Sequence, residues 1–317
     1  MKRLLITLGI LAALLVLAGV AILLLVDVNA HKPRIESAVS DALGMEFRIG
    51  GKARLRLFPS AGIVLSDAHL RNRGTDLATA ETLRVGVLLR PLLSRRVVIT
   101  ELALEKPVLR IEKGTDGRFN FETPPRPAVP AAKEGKAPSA PLVVSAGSVS
   151  AGKIVYIDRK SKSETTLDAI DLSVRDLSIP TTAGGKFLEG ISFSGDLSVK
   201  EMRTKEITVS DVHAKVTAGA GVYEIRPFTM KLFGGTGEGG IRVDLSGEGT
   251  ALKVTYTLSK FRAEESLAGL SQKEYLHGPM TVTPDLSARG KDVEGMKRSL
   301  SGTVSLQGDG LTLRGMD

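Results

Sequence analysis

The sequence contains no cysteine and no tryptophan, with only four tyrosines and four histidines. Each absence removes a class of chemistry. Without cysteine there are no disulfides, no thiolate catalysis and no cysteine-ligated metal, and both reducing and oxidising compartments are compatible with the chain. Scarce aromatic rings argue against an aromatic-lined sugar or cofactor pocket. Basic runs are missing too: 43 Lys and Arg against 35 Asp and Glu are scattered along 317 residues, for a net charge of +8. Scattered charge reads as a solvated surface and stacking rings are few, so nucleic acid is not an expected partner.

What the chain does have is one long apolar stretch, Leu4–Val26, 23 residues without a charge. As a helix it would extend roughly 35 Å, enough to cross a hydrocarbon core of about 30 Å. Lys2 and Arg3 precede it, which predicts a cytoplasmic N-terminus with the bulk of the chain on the far side. Val28-Asn29-Ala30 imitates a signal-peptide cleavage site, so a removed leader is the alternative. The stretch is longer than the usual apolar region of about 7–15 residues in a leader, which favours an uncleaved anchor over residues 1–30.

After the anchor, Pro33 opens an amphipathic segment in which Ile35, Ala38, Val39, Ala42 and Leu43 share a face, and Gly44 stands where a helix ends. It predicts a helix capping the core of the adjoining β block, with an interfacial membrane helix as the alternative. From Met45 the period becomes two. Leu55 and Leu57 alternate with Arg54 and Arg56, and Leu83, Val85, Val87 and Leu89 share a face, as do Val98, Thr100, Leu102 and Leu104. Short alternating runs between Gly, Pro, Asn and Asp breaks predict an antiparallel meander.

Thr123–Pro141 holds six of the fourteen prolines and reads as a linker or surface loop. It separates a first β block, 31–122, from a second, 142–317, where strand-like runs resume and Arg262–Leu276 predicts a short helix. Ile63–His69 (IVLSDAH) resembles Ile207–His213 (ITVSDVH), a hint that the blocks repeat one β unit.

No catalytic constellation emerges. His31, His69, His213 and His277 fit no metal-ligand spacing. Gly235–Gly240 (GTGEGG) satisfies G-x-G-x-x-G, but alternating runs flank it on both sides, so it reads as a Gly-rich β turn and not a dinucleotide site. Glu264 with Glu265, and Asp67 near Asp76, lack the partners that acid–base work needs and read as solvated. No enzyme, cofactor or metal is expected. A long sheet with almost no helices must close as a sandwich, pack on partners, or keep an apolar face for a ligand, and in an anchored, exported protein the natural ligand is lipid.

These residues resemble the AsmA family of bacterial envelope proteins. The likeness is carried by the anchor, by RIESAVSDALGMEFRIGG, by Leu57-Phe58-Pro59, Arg90-Pro91-Leu92-Leu93, Lys106-Pro107 and Asp116–Phe121 in that order, and more loosely by Lys231–Gly239 and Ser299–Leu306. The resemblance implies a single-pass inner-membrane protein with its bulk in the periplasm, linked to outer-membrane protein assembly or to phospholipid movement, and without catalytic residues. It also implies further β structure beyond Leu311–Asp317, so the second block is expected to be incomplete.

The expected architecture is therefore mainly β: an N-terminal transmembrane helix, then an elongated, twisted antiparallel sheet, groove or sandwich, with one or two short capping helices. Expected partners are the inner membrane through residues 4–26, phospholipid, and envelope proteins or further copies joined end to end. Leu83, Val85, Val87, Val98, Leu102, Leu109 and Ile111 are the candidate lipid-groove lining.

Overall fold

The computed structural model describes residues 28–57, 60–88, 99–122, 142–180, 188–271 and 276–313. The apolar stretch 4–26, Val98 and the Pro-rich run 123–141 lie outside these residues. Among the described residues no helix is long and apolar enough to cross a membrane. The chain divides into two compact units, one ending at Glu105 and one beginning at Lys106.

The first unit opens with a 3-10 turn, Val28–His31, and helix α1, Lys32–Leu43. Pro33 sits in the first turn, where its missing N–H costs nothing, and Gly44 ends the helix at φ 68°, a left-handed conformation that glycine adopts without Cβ strain. Strands β1 (Glu46–Ile49) and β2 (Ala53–Arg56) both pair antiparallel with β3 (Gly62–Asn72), which continues to β4 (Thr75–Val87) and β5 (Ile99–Glu105). β1 and β2 are one strand broken opposite Asp67. At the break, a Cβ on Gly51 would stand 2.8 Å from the Ser66 carbonyl oxygen, so a glycine is needed there. Ile35 and Val39 of α1 pack on a core of Phe47, Ile49, Ala53, Leu65 and Ala68. Ile35 and Val39 of the helix cap the core, as its periodicity indicates, while Leu43 at its end stays 52 % exposed.

The second unit is a single large sheet. Strand β6 (Val108–Lys113) pairs with β7 (Leu142–Asp158), and β8 (Ser163–Ile179), β9 (Ser192–Arg203), β10 (Thr208–Gly219), β11 (Val222–Leu232), β12 (Gly235–Gly247) and β13 (Gly249–Arg262) come next in chain order. Helix α2 (Ala263–Ser271) and the two-residue β14 (Leu276–His277) interrupt the meander before β15 (Pro279–Gly290). Helix α3 (Val293–Ser299) precedes the edge strand β16 (Ser301–Gly308), and β17 (Thr312–Leu313) pairs back on β14. The expectation of a purely antiparallel sheet needs correction. β6 and β7 run parallel, from Val108 opposite Lys153 to Lys113 opposite Asp158. A parallel pair needs a long crossover, and the intervening residues 114–141 are enough chain for one.

Candidate functional site: an apolar sheet face

Residues directly opposite each other on neighbouring strands point to the same side of a sheet. In the second unit this makes the site legible as rows. Ile154, Leu167, Met202, Val209 and Leu232 stand opposite one another across five strands. Val149, Leu172, Leu197, Ala214 and Phe228 form a second row, which reaches Tyr256 through Gly239. Val174, Gly195, Val216, Ile225, Ile241, Val254 and Leu286 form a third. None of these rows contains a charge. The alternate rows are polar throughout: Asp171, Ser198, His213, Thr229, Glu238 and Thr257 make one, and Thr217, Glu224, Arg242, Lys253 and Ser287 another.

The apolar face is only partly covered. Leu172, Val174, Leu197, Ile225, Ile241 and Val254 are half-buried, whereas core side chains beneath a second layer would be closed off from water. At one end α2 brings Ala263 against Phe261, Tyr256, Leu258 and Met280, a compact apolar cluster of this unit. Elsewhere the described residues place no second sheet over the face; beyond the large sheet they form the β14–β17 pair alone.

Several strands change step without losing the face. Between the Leu167–Met202–Val209 row and the Ile170–Val199–Val212 row, β8, β9 and β10 each take three residues, while β7 takes two from Ile154 to Gly152. Ala169 (φ 50°) and Asp211 (φ 50°) sit in this crease in left-handed conformations. An extra residue of this kind bends and twists a strand locally. Asp67, at φ 56° in β3, is the counterpart of Asp211, so the repeated Ser-Asp-x-His segments share a bulge as well as a sequence. Among the described residues no group of three or more His, Asp or Glu side chains is placed to hold a metal ion.

The glycines of 235–240 have a different place from the expected turn. The turn is Phe233-Gly234, and Gly235, Gly237 and Gly239 lie inside β12. A Cβ on Gly237 would come 2.3 Å from the Tyr256 hydroxyl oxygen, and one on Gly239 2.6 Å from Tyr256 Cα. Strand β12 is bare where the Tyr256 ring lies across it, 5.5 Å from the Phe228 ring. Burial pushes the Tyr256 hydroxyl above its usual range, and that oxygen finds no hydrogen-bond partner among the described residues.

Ion pairs tie the polar face together. Asp211 receives Lys200 of β9 and Lys231 of β11, each at 2.9 Å, and these two ammonium groups hold its carboxyl at about 2. The acidic pairs expected to be solvated have partners: Glu264 accepts the Gly278 N–H at 3.0 Å, Glu265 pairs with Arg262, and His69 stands between Asp67 at 3.0 Å and Asp76 at 3.4 Å. The Arg71 guanidinium keeps the Asp76 carboxyl below the usual carboxylate range.

The first unit shows the same division. Leu55, Ile63, Val85 and Leu102 form one row and Ala53, Leu65, Leu83 and Leu104 the next. On the opposite face Arg56 reaches across Gly62 and Gly86 to Glu101, and Arg84 pairs with Glu105. The Arg56 guanidinium holds the Glu101 carboxyl below its usual range. Of the expected lining, Leu83, Val85 and Leu102 thus share one face, Leu83 already packed into the core under α1 and Leu102 41 % exposed. Val87 stands opposite Ile99 at the end of β4, and Val98 lies outside the described residues. Leu109 and Ile111 belong to the second unit, opposite Ile154 and Tyr156 on its apolar face. Most of the second unit's face is missed by the sequence reading, although its alternation is there between bulges.

The profile of the AsmA family matches residues 1–200 and 192–317, together the whole chain. The protein named Protein AsmA of Escherichia coli (strain K12) is 28% identical over 129 residues, 40% of this chain and 21% of that protein. The match thus spans about a fifth of the relative's length. No solved structure matches the chain significantly. With the family profile covering it from end to end, the chain belongs to the AsmA family.

Proposed function

We propose that this chain is a non-enzymatic protein of the bacterial envelope, anchored in the inner membrane through residues 4–26, that supports the outer membrane by carrying phospholipid acyl chains on its apolar sheet face. The observation that carries the reading is the set of charge-free rows from β7 to β15, most of whose side chains are only half-buried, with no second sheet over them among the described residues. Soluble proteins rarely leave so much contiguous apolar surface without an occupant. Acyl chain suits it: burial gains about 0.8 kcal/mol per CH₂, or about 12 kcal/mol for a sixteen-carbon tail. Among the described residues the face offers no ring of polar donors at which a sugar or nucleotide would be oriented.

The test is phospholipid content of the full chain purified from bacterial membranes in detergent. Val254→Asp and Leu172→Asp, each placing a charge in an apolar row, are expected to reduce tightly held phospholipid several-fold in protein that keeps its melting temperature. Unchanged content in both variants would remove the groove.

A second reading, an assembly scaffold for outer-membrane proteins, is favoured by one feature. Among the described residues β16 (SGTVSLQG) is the last strand of the large sheet, is exposed along its whole length and carries neither charge nor proline, devices that usually block strand addition. Under that reading Val304→Pro would lower outer-membrane protein levels in cells that depend on the chain, and Val254→Asp would not.

A further inference from the structure

Beyond β6 the chain turns back on itself, and the returning segment carries two phenylalanines with no part in the proposed function. The Gly114 N–H donates to the Arg118 carbonyl at 2.8 Å, and Gly117 makes the turn at φ 84°, a left-handed conformation that suits glycine. Asn120 then pins the return to β6 three times. Its N–H donates to the Glu112 carbonyl at 2.8 Å, its Oδ1 accepts the Glu112 N–H at 3.0 Å, and its Nδ2 donates to the Arg110 carbonyl at 2.7 Å. Phe119 bridges Lys113 antiparallel, which places it on the side of Lys113, the side that also carries Leu109 and Ile111. Phe121 stacks on Phe119, ring centroids 5.0 Å apart. Among the described residues Phe121 is the one exposed aromatic ring, at 40 %.

Cations surround this pair. The Lys113 ammonium stands over Phe119, 5.9 Å from the ring centroid. Arg118 is exposed at the turn. The β7–β8 turn, joined to β6 by the Arg159 N–H on the Lys113 carbonyl at 3.0 Å, adds the exposed Lys160 and Lys162. Arg118, Lys160 and Lys162 have no ion-pair partner among the described residues. Residues 110–122 and 158–162 hold six Lys and Arg against four carboxylates. Glu112 is taken by Arg159 at 2.6 Å and Arg110 at 3.0 Å, Asp116 accepts the Arg118 N–H at 3.1 Å, and Asp158 accepts the Lys160 and Ser161 N–H groups.

Exposed rings bordered by cations without partners match the headgroup layer of a bilayer, where rings meet hydrocarbon and cations meet phosphate. The pinned hairpin holds both rings in place before contact, so little ordering is needed on docking. We propose that the Phe119–Phe121 hairpin docks on the surface of a phospholipid bilayer containing anionic headgroups. Lys113, Arg118, Lys160 and Lys162 supply the charge, each worth roughly a five-fold preference that salt weakens. The proposal deepens the proposed function by naming a place where lipid reaches the second unit. It rests on the membrane location in that reading but not on acyl chains occupying the sheet face.

The chain has no tryptophan, so Phe121→Trp installs a single fluorescent reporter. The full chain is reconstituted in nanodiscs of phosphatidylcholine with or without phosphatidylglycerol, each made with plain or brominated acyl chains. In phosphatidylglycerol discs the emission from position 121 is expected to shift to the blue and to be quenched by the brominated chains. High salt, or the added pair Lys113→Gln/Arg118→Gln, should relieve the quenching, each lost cation weakening docking roughly five-fold. Phe119→Trp repeats the measurement should position 121 not accept the larger ring. Leu172→Trp reports acyl chains on the sheet face, and its quenching should respond neither to salt nor to the paired variant. Quenching at position 121 without quenching at position 172 would remove the groove and support the docking. An unquenched reporter at position 121, whatever position 172 shows, would overturn the proposal and leave the rings to a protein partner. Quenching at position 121 that is equal in both discs and indifferent to salt would overturn it as well.

Discussion

Tyr256 shows how single residues shape the apolar face. Its ring spans a strand stripped of side chains at Gly237 and Gly239, so one bulky residue is accommodated by two absent ones. Gly237→Val would drive a branched side chain into the Tyr256 ring and hydroxyl. A loss of about 1–3 kcal/mol is expected, read as a lowered denaturation midpoint. Paired with Tyr256→Ala, the same substitution should cost less if the ring is the obstacle. The motif GTGEGG is legible in sequence as a non-nucleotide site, but its reason is not: only strand pairing reveals which neighbour needs the space. Asp211 gives a prediction in pH. Its carboxyl is depressed from 3.8 to about 2 by Lys200 and Lys231, so the stabilisation it provides is present above about pH 4 and disappears as pH falls toward about 2. Asp211→Asn should flatten the stability–pH profile in that window and leave its shape above about pH 5 unchanged.

At the scale of elements, helix α1 is legible because three independent signals agree: a 3.6-residue stripe, Pro33 at the start and Gly44 at the end. Gly44→Ala, forcing a Cβ into the left-handed region at φ 68°, is expected to cost about 1 kcal/mol in thermal or chemical unfolding. Strand β15 is not legible, since Pro279 and Pro284 argue against a strand. The bulges hide more. At each one the alternation slips by a residue, so Leu167 and Ile170 share a face although an unbroken period of two would separate them. Ala169 occupies that slip at φ 50°, where glycine is unstrained. Ala169→Gly is therefore expected to be neutral or to stabilise by up to about 1 kcal/mol, the reverse of glycine's usual effect within a strand. A clear destabilisation measured by urea unfolding would show that the left-handed geometry is not what the site demands.

For the whole molecule, class is set by what the chain cannot do. It has almost no helix with which to cover a sheet: among the described residues of the second unit there are two short α-helices, both after β13 in the chain, and α2 packs Ala263 against Phe261, Tyr256, Leu258 and Met280. The polar and apolar rows then divide the sheet into a side tied by ion pairs and a side left largely half-buried among the described residues. That division is partly visible in sequence as alternation in Leu83, Val85 and Leu102. The parallel β6–β7 pair is not, because its crossover passes through a stretch whose prolines read only as a linker.

The central claim is that the two sides of one strand differ in what they touch, and site-specific photocrosslinking in living cells tests it most directly. A photoreactive side chain at Leu172 or Val254 is expected to yield phospholipid adducts, and one at the neighbouring Ser173 or Lys253, on the polar side, to yield none. Adducts equal on both sides, or absent from Leu172 and Val254 in folded protein, would contradict the account.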